Sequence, residues 1–228
     1  MSSLNTIIFS LLGGILPAVL WLWFWLQEDR LHPEPKSRII IVFLAGMASV
    51  FIVLPLERLF YTATLSSISI LTIIVWAGIE EIFKYVTAYF TALKNKVTDE
   101  PIDAVIYMIT VALGFSAFEN TLFLFNVIDS GALSQGIITG NSRFLGATLL
   151  HVASSAAIGV MIGLAYFKKP MIKRLFLLVG IVLSIILHTI FNLLIIRLAD
   201  NLFFVFAGVW VLIVVLIVLI EKIKKVNS

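Results

Sequence analysis

The sequence predicts an all-α integral membrane protein, a bundle of about seven transmembrane helices with room for an eighth, its N-terminus outside and its C-terminus in the cytosol. Three observations carry this. The 228 residues are 61% hydrophobic and 13% charged, with a mean hydropathy of +1.12, whereas a soluble domain is roughly 45–50% apolar and 25% charged. The apolar residues fall into seven runs, each near the roughly 20 residues needed to cross a bilayer. The Lys and Arg residues collect on alternate loops. Seven crossings leave no length for a separate soluble catalytic domain, so residues 1–228 form a single polytopic domain of the cell membrane. Any chemistry must be done inside the bilayer or in short loops.

The runs lie at about 5–26, 38–56, 68–92, 103–127, 143–166, 175–196 and 202–220. Met1 to Gln27 holds no charged side chain. A secretory leader would begin with a basic segment, so the first run is expected to be a retained span. EDRLHPEPKSR (28–38), KNKVTDEP (94–101) and KKPMIKR (168–174) break the runs with charge and proline. Of six prolines only Pro17 and Pro55 fall inside spans. IDSGALSQGIITGNS (128–142) is polar and Gly-rich and is expected to be the longest loop. Spans 1, 2 and 7 hold no charge in their interiors. Gly159 and Gly163 form a small-xxx-small pair that predicts close helix packing.

Orientation follows from basic residues. Loops 1, 3 and 5 and the C-terminal tail hold twelve of the sixteen Lys and Arg. The opposite side holds Arg58, Arg143 and Arg197, and Lys84 falls inside a span. The positive-inside rule then puts the odd loops in the cytosol. The net charge of +3 is a topology signal, because no basic stripe with interleaved aromatics marks a nucleic-acid partner. The absence of Cys excludes disulfides, thiolate metal sites and a Cys nucleophile.

Ionisable side chains cost about 2.5–3.5 kcal/mol each at the centre of a membrane helix, so those that persist point to function. Here they are few. Span 3 carries Glu80, Glu81 and Lys84 in GIEEIFKY. Span 4 carries Asp103 at its start, then Glu119 and Asn120 in GFSAFEN. Span 5 carries Arg143 at its outer end and His151, and span 6 carries His188 and Asn192 in LHTIFN. Glu80 and Lys84, Phe115 and Glu119, and His188 and Asn192 are each i, i+4 and so share a helix face. Counted from the outer ends of their spans, Glu80, Glu119, His151 and His188 lie at roughly 18, 12, 12 and 12 Å depth at 1.5 Å per residue. One polar layer in the outer half of the bilayer is expected. Asp103 and Arg143 stand at span ends, where interface anchoring is the plainer reading.

Carboxylates and imidazoles converging in a wet pocket support two chemistries. Carboxylate and His ligands can hold a metal such as Zn²⁺, which activates a bound water while a further Glu acts as base. Alternatively a Glu takes the proton from water with no metal, and His with Asn stabilises the oxyanion. Both hydrolyse an amide. A transporter or proton relay would also concentrate Glu, His and Lys in the membrane, but such folds often show internal repeats and broken helices at midplane, and neither is evident here. A seven-span receptor would need no paired glutamates with two His at one depth.

These residues carry a resemblance to the PrsW family of intramembrane proteases. GIEEIFKY resembles its EExxK motif, GFSAFEN its GFxxxEN motif, and Asp103 with Tyr107 the D-x-x-x-Y opening of the same helix. Arg143 and His151 resemble its R-x7-H element before an IG-x-x-x-G stretch, and LHTIFN its HxxxD motif with Asn192 in place of Asp. EDRLHPEP resembles the family's acidic loop after span 1. The wider group, which includes type II CAAX prenyl proteases and bacteriocin-processing proteins, shares the last motif but fits less closely at Lys84 and Glu119. The resemblance implies a multi-pass intramembrane endopeptidase that cuts a membrane-anchored protein, in the manner of an anti-sigma factor, near the outer half of the bilayer during a stress response. Carried over by position, Glu80, Glu81, His188 and Asn192 are the expected catalytic residues, with Lys84, Asn120, Asp103 and Arg143 supporting them. Glu80, Glu119, His151 and His188 are the expected ligands of a divalent metal, zinc. Asn192 suits an oxyanion donor better than a charged ligand.

Overall fold

The computed structural model describes residues 3–63, 68–130, 143–198 and 201–226 and, singly, 136, 138 and 140. Among these residues the chain is helical, with no strand. Seven α-helices are described: α1 Ser3–Leu26, α2 Lys36–Ala63, α3 Ile70–Ala88, α4 Asp103–Asp129, α5 Thr148–Leu164, α6 Pro170–Arg197 and α7 Leu202–Ile223. Each overlaps one apolar run of the sequence. Six are long and apolar enough to cross a membrane. The seventh, α3, carries no charged residue except Glu80, Glu81 and Lys84 within its 19 residues. The chain is thus a multi-pass membrane protein. Most of the loop expected at 128–142 lies outside the described residues.

The helices start where local chemistry allows. Ser69 caps α3 reciprocally with Thr72: its Oγ accepts the Thr72 backbone N–H at 3.2 Å, and Thr72 Oγ1 accepts the Ser69 N–H at 3.3 Å. Pro170 opens α6 at a position whose N–H needs no partner. Two π-helical turns, Tyr89–Leu93 after α3 and Arg143–Ala147 before α5, continue those helices. The second one carries Arg143 toward the interior.

α4 is the axis of the bundle. α1 and α2 pack along it, α5 packs on another side, α6 and α7 lie against α5, and α3 sits between α2 and α6 while touching α4. From Ile102 to Leu113 the axis is buried without interruption. Glycines permit the close approach. A Cβ on Gly114 would stand 2.0 Å from the Phe43 carbonyl oxygen, fixing α2 against α4 backbone to backbone. A Cβ on Gly159 would meet the Val105 Cα at 2.6 Å, and one on Gly163 the Pro101 oxygen at 2.5 Å. The small-xxx-small pair therefore seats α5 on the N-terminal half of α4. Lipid chains are as apolar as Leu, so such backbone contact contributes dispersion that larger side chains would not add.

One boundary differs from the sequence reading in a way that matters. α2 runs to Ala63, seven residues past the end of the apolar run, and includes Pro55, Glu57 and Arg58. Charge at Glu57 ends the hydropathy signal without ending the helix. The Glu57 carbonyl oxygen accepts the Trp76 indole N–H at 3.1 Å, tying this extension to α3. α2 thus holds charged residues beyond the run read as span 2, whose own interior holds none.

Candidate active site

The intramembrane glutamates and histidines meet. Glu80, Glu81, His151 and His188, from α3, α5 and α6, each place one potential ligand atom within 4.8 Å of the other three, and all four residues are buried. Lys84, one turn beyond the glutamates on α3, reaches into the same space. Its Nζ donates to Glu80 Oε2 at 3.0 Å, to Glu81 Oε1 at 2.9 Å and to His151 Nδ1 at 2.8 Å. The Phe115 ring lies beneath the ammonium, 4.3 Å from the nitrogen to the centroid, a favourable cation–π placement.

The two adjacent glutamates have different surroundings. Glu81 is fully enclosed and saturated. Its Oε1 faces Lys84 Nζ, Ser154 Oγ at 3.1 Å and His188 Nδ1 at 2.8 Å. Its Oε2 accepts from Ser155 Oγ at 2.7 Å and Ser184 Oγ at 2.8 Å. Five donors from α3, α5 and α6 converge on this carboxylate, which makes it the fixed point of the site. Glu80 accepts from Lys84 and shares a side-chain hydrogen bond with Glu57, and the two imidazoles approach its Oε2 at 3.6 and 3.8 Å.

The hydrogen bonds also set the imidazole tautomers. Lys84 can only donate, so His151 Nδ1 accepts, and its Nε2–H donates to Glu119 Oε2 at 3.0 Å. His188 donates from Nδ1 to Glu81, which leaves its Nε2 lone pair free, 3.8 Å from Glu80 Oε2. An orienting carboxylate on one ring nitrogen and a free lone pair on the other is the arrangement found around metal-binding and basic imidazoles. The two rings stand edge to face with centroids 5.0 Å apart.

Glu119 lies behind His151, outside the group of four. It accepts from Arg143 Nη2 at 2.7 Å, and Arg143 Nε donates to the Asn120 side-chain oxygen. Asn120 in turn donates to Thr148 Oγ1 at 2.9 Å and to Ser116 Oγ at 3.2 Å. Glu119, Asn120 and Arg143 thus form a brace that holds the far side of His151. Asn192, one turn past His188, is half-buried and makes no hydrogen bond to the cluster among the described residues. Asp103 lies sixteen residues before Glu119 on α4, about 24 Å away at 1.5 Å per residue, and joins a different group.

Four residues of the site were not singled out from the sequence. Ser154, Ser155 and Ser184 donate to Glu81. Glu57, on the extension of α2, brings a third carboxyl beside Glu80 and Glu119. The serines carried no signal, because hydroxyls are common in membrane helices as local bonds to the preceding turn. Ser154 makes such a bond as well, at 2.9 Å to the Leu150 carbonyl. Glu57 was hidden by its position just past an apolar run.

The donor set fits a zinc-like ion in kind, since carboxylate oxygens and imidazole nitrogens are its ordinary ligands. Three of the four candidate ligands already bond the Lys84 ammonium, so an ion would compete with it for Glu80, Glu81 and His151. His188 Nε2 and Glu80 are the groups least committed to partners within the chain.

Comparison with known proteins agrees with the geometry. Residues 34–220 match the family described as PrsW family intramembrane metalloprotease. The relative named Protease PrsW from Halalkalibacterium halodurans is 27% identical over 225 residues, covering 96% of this chain and 98% of its own. The one from Geobacillus kaustophilus is 29% identical over 190 residues, covering 81% and 79%. The one from Bacillus subtilis is 21% identical over 193 residues, covering 84% and 85%. No solved structure matches the chain. With a buried Glu/Glu/His/His cluster in a helical membrane bundle and a match across most of its length, the chain belongs to the PrsW family of intramembrane proteases.

Proposed function

We propose that this protein is an intramembrane endopeptidase that hydrolyses a peptide bond of a membrane-anchored protein in the outer half of the bilayer. The observation that carries the proposal is the convergence of Glu80, Glu81, His151 and His188 inside a bundle built for lipid. Glu80 is the base, because its carboxylate is the least committed of the pair. It takes a proton from water held between it and His188 Nε2, and that proton passes to the leaving amine. Glu81 keeps His188 in the tautomer that exposes Nε2. Lys84 offsets one of the two glutamate charges, and the Arg143–Glu119 brace holds His151. Asn192, by its place one turn from His188, is assigned to the oxyanion of the tetrahedral intermediate. In a metal-assisted version, a divalent metal, zinc, would be held by His188, Glu80 and His151 with Glu119 bracing the last, and Glu80 would then be a ligand and not the base. When bound, the ion lowers the pKa of water and polarises the scissile carbonyl.

The single domain crosses seven times, with α3 as the seventh span, its N-terminus outside and its C-terminus in the cytosol. The substrate is of the anti-sigma-factor kind, a single-span protein cut on its outer side. Membership in a protease family leaves a transporter reading of the same cluster unfavoured. The test is cleavage of a single-span reporter by purified protein in liposomes. Glu80→Gln should abolish cleavage with the fold intact. A Glu80→Gln protein that still cuts would refute the assignment.

A further inference from the structure

At the far end of α4 a second group of carboxylates meets, and the Glu/His site uses none of it. The acidic loop after α1 and the Asp103–Tyr107 opening of α4 come together there. Asp29, Glu34 and Asp103 each place a carboxylate oxygen within 4.8 Å of the other two. Glu34 and Asp103 also share a side-chain hydrogen bond, which needs a proton on one of the two. Asp103 Oδ2 accepts the backbone N–H groups of Asp99 and Glu100 at 2.8 and 2.7 Å, which leaves its Oδ1. Glu34 Oε2 accepts the hydroxyl of the fully buried Tyr107, which leaves its Oε1. Asp29 is only 5% exposed, yet its Oδ2 is buried with no hydrogen-bond partner among the described residues.

A buried carboxylate oxygen with no donor is costly, because the desolvation of that group is not offset. No Lys or Arg bonds any of the three among the described residues. Arg38 donates instead to the Thr91 carbonyl at 2.7 Å, and His32 pairs with Glu100 at 3.0 Å. A cavity of about 750 Å³, lined by Asp29, His32, Glu100 and Lys224, adjoins the group. Glu34 and Asp103 are oriented by tyrosine and backbone and share a proton that a cation would replace, and Asp29 adds a buried oxygen that no donor meets; the three have the form of a ligand set.

We propose that Asp29, Glu34 and Asp103 form a second site, for a hard divalent cation such as Ca²⁺ or Mg²⁺, that pins the first loop to the first turn of α4. The all-oxygen donor set selects hard ions over zinc. The separation suits it: oxygens on opposite sides of Ca²⁺ stand about 5 Å apart, and those of Mg²⁺ about 4 Å. This site is independent of the proteolytic reading and does not share a residue with the Glu/His cluster.

Mn²⁺ binding to the purified full chain in micelles, followed by electron paramagnetic resonance, tests it without reference to cleavage. The expected result is one tightly held Mn²⁺ per chain, displaced by Ca²⁺ or Mg²⁺. Asp29→Asn should weaken binding at least tenfold, whereas the double variant Glu80→Gln/His188→Gln should bind as the wild type does. No stoichiometric Mn²⁺ on the wild type, or unchanged affinity in Asp29→Asn, would overturn the proposal. Should Asp29→Asn fail to fold, the wild-type thermal midpoint decides: a rise with added Mn²⁺ that persists in the Glu80→Gln/His188→Gln variant is expected, and no rise refutes the site.

Discussion

Replacing Glu81 by Gln keeps the shape of the side chain and removes its charge. In the structure that carboxylate faces Lys84, His188 and three serines. A hydrogen bond to a charged group contributes about 1.5–3 kcal/mol, and breaking one side of a buried ion pair costs about 3–5 kcal/mol. Lys84 would keep Glu80 and His151, so the lower end applies, about 3 kcal/mol. The serine hydroxyls can rotate, but the new amide NH₂ must still face donors. At about 2–4 °C of midpoint per kcal/mol for a chain this long, the midpoint should fall by about 6–12 °C. Glu80→Gln keeps an amide oxygen that can accept from Lys84 and leaves the ammonium paired with Glu81, so a loss of only about 1 kcal/mol is expected. Thermal unfolding in micelles, read from the tryptophan fluorescence, gives both midpoints, and reporter cleavage gives both activities. Both variants should be inactive, and only Glu81→Gln should be markedly less stable. Equal midpoints for the two would refute the division into a structural anchor and a working base.

Four further outcomes are expected. Gly114→Ala must push α2 off α4, since its Cβ would meet the Phe43 oxygen at 2.0 Å; a loss of about 1–3 kcal/mol should appear as a lower thermal midpoint. Arg143→Gln frees Glu119 and Asn120, and cleavage should fall by about 10–100-fold, measured as a loss in kcat with KM retained. Where zinc is used, o-phenanthroline should inhibit cleavage, and active protein should carry about one zinc per chain; fully active metal-free protein would select the glutamate–water mechanism. The chain has no Cys, so single cysteines report topology cleanly: in intact cells an impermeant maleimide should label Ser130→Cys but neither Ser37→Cys nor Lys169→Cys.

The helices were legible because lipid imposes one rule on every span, and hydropathy reads that rule directly. The polar cluster was legible for the complementary reason: Glu80, Glu81, His151 and His188 stand out against an apolar background, and the agreement in depth of Glu80, Glu119, His151 and His188 pointed to one layer. What the sequence hid is what depends on facing rather than depth. Glu119 shares the layer but lies behind His151, and Asn192 shares the face of His188 without bonding the cluster. Asp103 shares a helix with Glu119 yet belongs to the opposite end. Ser155 and Ser184 look like routine helix hydroxyls until a carboxylate from another helix arrives. Glu57 shows the weakness of hydropathy at helix ends, where one charge stops the signal while the backbone continues.

Lys84 has a consequence for biogenesis. The countercharge of the glutamate pair is part of the same helical turn, so α3 can enter the membrane already partly neutralised, before α5 and α6 arrive with their serines and histidines. A metal at this site would have to compete with the tethered ammonium for Glu80, Glu81 and His151. A substitution such as Lys84→Met would remove that occupant and expose two unpaired anions during insertion, shifting the burden from loading to folding.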